Sequence, residues 1–297
     1  MADDNIRMPA VAGGFYPSDP EELKGIIEGF LAKAKDFAID GKLRALVVPH
    51  AGYIYSGPIA AFGYRLLQKH KDEFDKVLIL GPSHYAGFLG ACESGYSAWE
   101  TPLGIVKAMS VKGSVPDEYK DIVHTYPQAH APEHCLEVQL PFLQIVFGPL
   151  KDYTVAPMLC GDVDPEALAN ALVGFVDERT LVIASSDLSH YLPYDQAVKT
   201  DSIANQSVPS LDIDRFERDG DACGKLGILT LMHIAKRKGW KGKMLDYRNS
   251  GDTSGDKSGV VGYGCYAFYE ASGGKSERTG KPKQIGKSKS PWRKKDR

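Results

Sequence analysis

The chain has 297 residues, of which 43% are hydrophobic, and its formal net charge at pH 7 is −2. This length allows one large α/β domain or two small ones, with a sizeable core. Because the sequence has no apolar stretch of about 18 residues and no secretory signal at its start, we expect neither a membrane span nor export. Five cysteines without a close pairing pattern are typical of a reducing compartment, so we expect a cytoplasmic protein.

The charge is distributed unevenly along the chain. Residues 271–297 carry ten Lys or Arg and two acidic residues, a net +8, which leaves −10 for residues 1–270. The C-terminal segment is also rich in Gly and Ser, so it cannot bury enough apolar surface to offset chain entropy. We predict one α/β domain at 1–270 and a basic, disordered tail at 271–297. The tail is either a tether for nucleic acid or another polyanion, or a solubilising segment.

Apolar runs and helical periodicity alternate through the body of the chain. Strands are predicted in the run at 44–52 and at 76–81, 153–159, 180–185, 243–249 and 259–269, with further β structure in 88–115. Helices are predicted at 57–69, 134–147, 164–177, 211–219 and 225–238. This alternation predicts a layered α/β fold with a largely parallel central sheet flanked by helices, and with the C-terminal strands at one edge.

Three of the apolar runs end in small-residue turns that carry polar side chains. The first delivers His50, the second His84, and the third Asp187 and His190. In open α/β sheets, ligands bind just beyond the carboxyl ends of such strands, so we expect these groups to converge on one site. Neutral imidazole is both a common metal ligand and a natural general base.

Asp187 and His190 are three residues apart and would share a face if a helical turn begins there. Three roles stay open for Asp187: it orients an imidazole, ligates a metal, or caps a helix.

The segment HAPEHCLE packs two histidines and two glutamates into residues 130–137. Both pairs are spaced four residues apart, which resembles a helical zinc motif. However, Pro132 argues against a continuous helix. We therefore expect Glu133 and His134 to lie behind the ligands or to face a substrate, rather than to form a separate zinc site.

Cys223 precedes Gly224 and a predicted helix, so it should lie at the N-terminus of that helix. There the helix dipole lowers the pKa of a thiol and favours the thiolate, which is a nucleophile and a metal ligand. The alternative is that Cys223 is a small buried apolar residue.

Seven stretches, in the expected order, resemble the Memo family. They are VVPHAGYIYSG around His50, LGPSH (80–84), TPLG (101–104), APEHCLEVQLPF (131–142), SSDLSHY (185–191), ACGKLGI (222–228) and VVGYGCYAF (260–268). The resemblance implies a fold like that of the class III extradiol ring-cleaving dioxygenases, whose iron is held by two histidines and a carboxylate.

By the family motif, His50, His84 and Cys223 would be the metal ligands, with Asp187 and His190 facing the same pocket. A thiolate in place of the carboxylate moves the donor set toward soft metals. We therefore expect a transition metal, iron or copper, with zinc as the alternative.

The resemblance leaves two function classes open. In the first, the protein is a metal-dependent oxidoreductase with His190 as general acid/base, assisted by Asp187. In the second, it is a non-catalytic binding or accessory protein. It would act with radical-SAM and Ammecr-type partner proteins, or recognise a peptide or small anion. Vertebrate members bind phosphotyrosine-containing peptides and copper, but they carry a tryptophan where this chain has Phe15.

Overall fold

The computed structural model describes residues 5–149 and 151–272. Apart from its first two residues, the predicted tail at 271–297 lies outside the described residues. The strands are β1 (Ile6–Arg7), β2 (Gly41–Val48), β3 (Lys76–Pro82), β4 (Ala91–Glu93), β5 (Ala98–Thr101), β6 (Gly104–Lys107), β7 (Val123–Thr125), β8 (Thr154–Cys160), β9 (Thr180–Ser185), β10 (Lys241–Asn249) and β11 (Gly262–Ala271).

Helices cover both faces of the sheet and connect its strands. They are α1 (Pro20–Lys33), α2 (Tyr53–Gln68), α3 (Pro127–His130), α4 (Leu140–Phe147), α5 (Pro165–Leu172), α6 (Tyr194–Ser210), α7 (Ile213–Asp219), α8 (Lys225–Lys238) and α9 (Ser250–Ser254). Short 3-10 turns lie at Lys71–Glu73, Lys112–Ser114, Asp117–Ile122 and Glu137–Gln139.

Eight strands form the central sheet in the order β10-β11-β2-β9-β3-β8-β4-β7. The four central strands β2, β9, β3 and β8 are parallel, whereas β10 and β11 run antiparallel at one edge. At the other side, β4 is antiparallel to β8 and parallel to β7. A separate sheet joins β1, β5 and β6. The predicted layered α/β fold with C-terminal edge strands is therefore confirmed, while the likeness to the dioxygenases stays a prediction.

The central strands are mostly apolar because both faces of the sheet are covered. In β2, Leu46 and Val48 join the core that contains residues of α1, α2 and α4. The alternate residues Ala45 and Val47 join the core that contains residues of α5, α7 and α8.

Capping residues explain where several helices begin. Asp164 accepts a hydrogen bond from the backbone N–H of Ala167 at 2.7 Å, with Pro165 in the first turn of α5, as predicted. The helix ends at Leu172, earlier than the predicted 177. Pro141 stands in the first turn of α4, directly after a 3-10 turn, so the helix predicted at 134–147 begins only at Leu140.

Four of the described helices were not among the predicted elements: the short α3 and α9, and the longer α1 and α6. Helix α1 has a clear signal, with Asp19 as N-cap and Leu23, Ile27 and Leu31 buried at four-residue spacing. Helix α6 has a weak one, because only five of its 17 residues are buried and two of those, Asp201 and Ser207, are polar. Among the described residues, no helix combines the length and apolar character needed to cross a bilayer.

Candidate metal centre

The polar side chains predicted to converge follow three neighbouring strands, each two residues beyond the strand end. His50 follows β2, His84 follows β3 and Asp187 follows β9, and these strands lie side by side in the sheet. The ring centroids of His50 and His84 are 5.3 Å apart. Cys223, just before α8, brings its Sγ to 3.2 Å from Nε2 of His50. The fold therefore gathers residues that are more than a hundred positions apart in the chain.

The hydrogen bonds of Ser185 determine the tautomer of His50. The hydroxyl of Ser185 donates its proton to the carbonyl of Cys135 at 2.6 Å and accepts from Nε2 of Gln139 at 2.8 Å. Because that hydroxyl has only one proton, the 3.1 Å contact with Nδ1 of His50 requires the imidazole to donate. Nε2 of His50 then carries an unprotonated lone pair beside Cys223.

A carboxylate does the same for His84. Glu133 is fully buried, and its Oε1 lies 2.9 Å from Nδ1 of His84, while its Oε2 accepts the backbone N–H of His84 at 2.7 Å. Burial alone would raise the pKa of Glu133, but the hydrogen bonds from His84 and Cys135 outweigh it and lower the pKa to about 2. The ionised carboxylate only accepts, so Nδ1 of His84 donates and Nε2 is the ring nitrogen left for another partner.

His134 completes a cluster of three imidazoles. Its ring stacks on His84 with centroids 4.6 Å apart, and Phe15 lies 4.7 Å away on another side. Nδ1 of His134 is buried and makes no hydrogen bond among the residues the structure describes, although Oε1 of Glu133 lies 3.3 Å from it. The ligand atoms of His50, His84 and His134 all lie within 4.8 Å of one another.

The two most buried imidazoles of this cluster are neutral at physiological pH. Burial, reinforced by the neighbouring His84, lowers the pKa of His50 to about 3. Burial and then His50 lower the pKa of His134 to about 4. A neutral imidazole with a free ring nitrogen is the form that binds metals. The donor set present therefore fits a transition metal.

Cys223 has a different protonation state from the one predicted. It does lie at the N-terminus of α8, but burial and then the charge of Asp187 raise its pKa to about 12. The prediction of a lowered pKa is therefore wrong, because desolvation outweighs the hydrogen bonds from the backbone of Asp187 and Gly224. The neutral thiol therefore lies against the neutral imidazole of His50.

A second group of close donors comprises His84, Glu133 and Cys135. The Sγ of Cys135 donates to the carbonyl of Pro82 at 3.1 Å, and burial raises the pKa of this thiol well above its usual range. In the described part of the chain, Cys223 belongs to neither three-donor group, although it touches His50. The assignment of Cys223 as the third ligand stays a prediction.

Asp187 holds the turn that carries His50. Its Oδ1 accepts the backbone N–H groups of His50 at 2.8 Å and Ala51 at 3.3 Å. Burial raises the pKa of Asp187, against the opposing effect of these hydrogen bonds. Residues 186–190 form no helix, so the helical turn that would have placed Asp187 and His190 on a shared face is not present there. The loop is instead tied to β11, since Gly262 bonds to the backbones of Leu188 and Ser189.

His190 is half-buried at the margin of this cluster. Burial is the largest influence on two neighbouring groups, since it lowers the pKa of His50 and raises the pKa of Asp187, and His190 lies close enough to lower both pKa values. No side-chain hydrogen bond joins His190 to Asp187 in the described ranges. The acid/base roles of these two residues stay predictions.

A buried ion pair supports the segment that carries Glu133 and His134. Nη1 of Arg7 lies 2.6 Å from Oε2 of Glu137, with both side chains almost fully buried. The same guanidinium donates to the carbonyls of His130 at 2.8 Å and Glu133 at 2.5 Å. Because α3 ends at His130, before Pro132, this segment has no helix of its own and depends on Arg7 for its backbone conformation.

Three supporting residues were not singled out from the sequence: Ser185, Gln139 and Arg7. The first two lie inside the quoted stretches SSDLSHY and APEHCLEVQLPF, and that position is the signal that identifies them. Arg7 lies outside every quoted stretch, so no signal in this single sequence identifies it.

Sequence comparisons place these residues within a known family. The family model described as Memo-like protein matches residues 7–267, a range that includes every residue of the site. The chain belongs to the Memo-like protein family. The predicted resemblance is thus confirmed, and it extends over nearly the whole described structure.

Several archaeal relatives in this family are similar along almost their full length. A MEMO1 family protein of Desulfurococcus amylolyticus is 38% identical over 286 residues, which cover 89% of this chain and 99% of the relative. Those of Sulfolobus acidocaldarius (38% over 288 residues; 87% and 97%) and Methanopyrus kandleri (37% over 281 residues; 88% and 98%) are similar to the same extent.

Proposed function

We propose that this Memo-like protein binds a transition metal through Nε2 of His50, Nε2 of His84 and Sγ of Cys223, and acts as a metal-dependent oxidoreductase. The observation that carries the proposal is the pair of outer partners, Ser185 and Glu133. Each accepts the Nδ1 proton of one imidazole and so leaves the opposite nitrogen free. Outer partners of this kind are characteristic of metal-binding histidines.

Two residues compete for the third ligand position. Cys223 lies 3.2 Å from Nε2 of His50, and a metal ion would stabilise its thiolate. A ligand atom of His134 lies within 4.8 Å of ligand atoms of the other two imidazoles, and its Nδ1 makes no hydrogen bond in the described structure, with Oε1 of Glu133 at 3.3 Å. A His/His/Cys set contains a soft thiolate and favours iron or copper, with zinc as the alternative. A three-histidine set lacks the thiolate and is therefore a harder set of donor atoms. We assign the position to Cys223 and leave His134 beside the ion.

The remaining residues have roles that follow from their contacts. Asp187 holds the turn of His50 through two backbone N–H groups, and His190 stands at the margin, where an imidazole can accept or release a proton. The ion, when bound, would supply Lewis-acid and one-electron redox chemistry. The buried walls around His50 exclude bulk water from its free nitrogen.

Elemental analysis of protein purified from its native source tests the metal centre. We expect a stoichiometric transition metal in the wild type and none in the double variant His50→Ala, His84→Ala. The matched control is His124→Ala, because His124 is exposed and lies outside the site. Full metal occupancy in the double variant would refute the assignment.

Cobalt(II) substitution distinguishes the two candidates for the third ligand. A cysteine thiolate on cobalt gives a near-ultraviolet charge-transfer band, which should disappear in Cys223→Ser and persist in His134→Ala. If Cys223→Ser keeps the wild-type spectrum and affinity, and His134→Ala loses the metal, then the three-histidine set is correct and the Cys223 assignment is wrong.

We propose an accessory binding role as the second candidate, because aromatic side chains are exposed beside the site. Tyr85, next to His84, is 58% exposed, and Tyr191, next to His190, is 79% exposed. Tyr191 also has φ +58, a strained conformation for a bulky residue, which is common at binding sites. Exposed apolar groups of this kind mark ligand or partner surfaces.

Co-purification tests this second role. A radical-SAM or Ammecr-type protein from the same source should be retained by the wild type and lost on Tyr85→Ser, Tyr191→Ser, with metal content unchanged. The control is Tyr126→Ser, which alters a tyrosine that is 37% exposed and packs on Phe88. Equal retention by all three proteins would exclude this surface.

A further inference from the structure

Tyr263 is a buried tyrosine whose hydroxyl makes no hydrogen bond with any residue the structure describes. Its side chain lies at the start of β11 and is 2% exposed. Buried tyrosine hydroxyls normally find a partner, because leaving one unpaired costs free energy. The neighbouring buried tyrosines follow that rule: Tyr16 donates to Glu137 and Tyr53 to the carbonyl of Val138, both at 2.6 Å. The hydroxyl oxygen of Tyr263 is not among the fully enclosed polar atoms, so it is a donor that has no acceptor among the described residues and stays open to a ligand.

The strand register places Tyr263 beside the metal centre. β11 pairs antiparallel with β2, with Tyr266 opposite Val47 and Ala267 opposite Leu46. Continued one residue at a time, this register brings Tyr263 level with His50. Because β11 runs antiparallel to β2, its first residues lie at the same edge of the sheet as the ends of the strands that carry the site.

The loop after β9 also contacts β11, at the residue just before Tyr263. The carbonyl of Gly262 accepts the N–H of Leu188 at 2.8 Å, and the N–H of Gly262 donates to the carbonyl of Ser189 at 2.9 Å. Tyr263 directly follows this paired glycine. It is therefore held between the turn that carries His50 and the loop that carries Asp187 and His190.

The surroundings of the phenol keep it protonated. Burial is the largest cause that raises the pKa of Tyr263, and Asp187, Tyr55 and Tyr191 raise that pKa further. Those three groups belong to the site or to its exposed margin. A protonated phenol among them is a hydrogen-bond donor, and the acceptor it suits best is an anionic oxygen, since charge-assisted hydrogen bonds are the stronger ones.

We propose that Tyr263 is a ligand-binding residue of the centre, whose hydroxyl donates a hydrogen bond to an anionic oxygen of a small molecule held at the His50 and His84 site. The inference rests on the proposed metal centre and adds the substrate class to it: a small oxyanion ligand, such as a carboxylate or an enolate. The exposed side chains of Tyr55 and Tyr191 then form the apolar walls beside the anion.

The test uses acetohydroxamate, a small oxyanion that binds transition metals, titrated into cobalt(II)-loaded protein and followed by the visible spectrum. We expect Tyr263→Phe to keep the cobalt stoichiometry of the wild type and to weaken acetohydroxamate binding by about 10- to 100-fold, the effect of losing a hydrogen bond to a charged acceptor.

The matched control is Tyr153→Phe. The hydroxyl of Tyr153 likewise makes no hydrogen bond in the described chain, but it is fully enclosed and lies just before β8, at the opposite edge of the sheet. This control should bind acetohydroxamate within about twofold of the wild type. If Tyr263→Phe binds as tightly as the wild type, or if both variants weaken equally, the inference is wrong.

The two proposals fail in different ways. A wild type that takes up no cobalt overturns the metal centre and this inference together, whereas normal uptake with unchanged acetohydroxamate affinity in Tyr263→Phe overturns this inference alone. If Tyr263→Phe does not fold, the same contact can be tested by NMR on zinc-loaded wild-type protein. The tyrosines then carry carbon-13 at the ring carbon that bears the hydroxyl. Acetohydroxamate should shift the resonance of one buried tyrosine, and that resonance should still be present in Tyr153→Phe. If no such resonance shifts, the contact is refuted.

Discussion

The two imidazoles of the candidate centre are held in the same tautomer by partners of different chemistry. His50 donates to the hydroxyl of Ser185, itself held by the amide of Gln139, so the partners in this His50 half are neutral. His84 donates to the ionised carboxylate of Glu133, whose segment depends on the Arg7–Glu137 ion pair, so the His84 half is charged.

This difference separates two tasks of an outer partner. Both partners fix which nitrogen is free, but only a carboxylate also increases the basicity of the imidazole it holds. A charged partner must itself be buried and paired, which brings a desolvation cost that a hydroxyl avoids. We therefore expect substitutions in the His84 half to have the larger effects on the free energy of unfolding, on stability in acid and on metal affinity.

The largest effect is expected from Arg7→Met. Removing the guanidinium leaves the buried Glu137 carboxylate unpaired, which should lower the free energy of unfolding by about 3–5 kcal/mol. Equilibrium denaturation in urea measures this loss. The control is Arg237→Met, whose partner Glu166 is exposed, and which should lose at most about 1 kcal/mol. Equal losses in the two variants would mean that the ion pair does not support the His84 half.

His130, at the start of the segment that carries Glu133, should make the metal-free protein sensitive to acid. Burial lowers its pKa from 6.5 to about 4, so the folded state binds fewer protons than the unfolded state. The stability it contributes is complete above pH 6.5 and is lost as the pH falls toward 4, which corresponds to about 3 kcal/mol. Denaturation at several pH values should show a shallower loss in His130→Gln. The exposed His124→Gln should keep the wild-type slope, and an unchanged slope in both would contradict this account.

Glu133→Gln should weaken metal binding by about 10- to 100-fold. The amide can still accept backbone N–H groups through its oxygen, but it no longer carries the charge that holds the Nδ1 proton of His84. Competition with a chromophoric chelator measures the affinity. Glu73→Gln is the matched control, because Glu73 pairs with His70 at 2.8 Å away from the site. Its affinity for the metal should equal that of the wild type.

Ser185→Ala should have the smallest effect, a loss of about 2- to 10-fold in metal affinity, because it removes a neutral hydrogen bond. The same chelator competition applies, with Ser207→Ala as a control that deletes a buried hydroxyl within α6. A loss in Ser185→Ala that equals or exceeds the loss in Glu133→Gln would reverse the comparison between the two halves.

Local patterns in the sequence determined much of the fold and identified several of the residues that the fold brings together at the candidate site. Apolar runs with small-residue turns placed His50, His84 and Asp187 at the ends of neighbouring strands, and the Asp164-Pro165 cap located the start of α5. Such signals succeed because strand burial and helix capping depend on residues only a few positions apart. Helix α6 was not predicted because its hydrophobic periodicity is weak, since its buried face includes the acidic residue Asp201.

Only the tertiary structure decided the protonation and orientation of the site. Ser185 reaches His50 across 135 residues of sequence and Glu133 reaches His84 across 49, so no local pattern reports these contacts. Burial by distant segments raised the pKa of Cys223, where the helix terminus alone predicted a decrease. The extended loop after β9 gave Asp187 a backbone role instead of a helical one. Desolvation and long-range hydrogen bonds arise from packing, and packing is what a single sequence does not display.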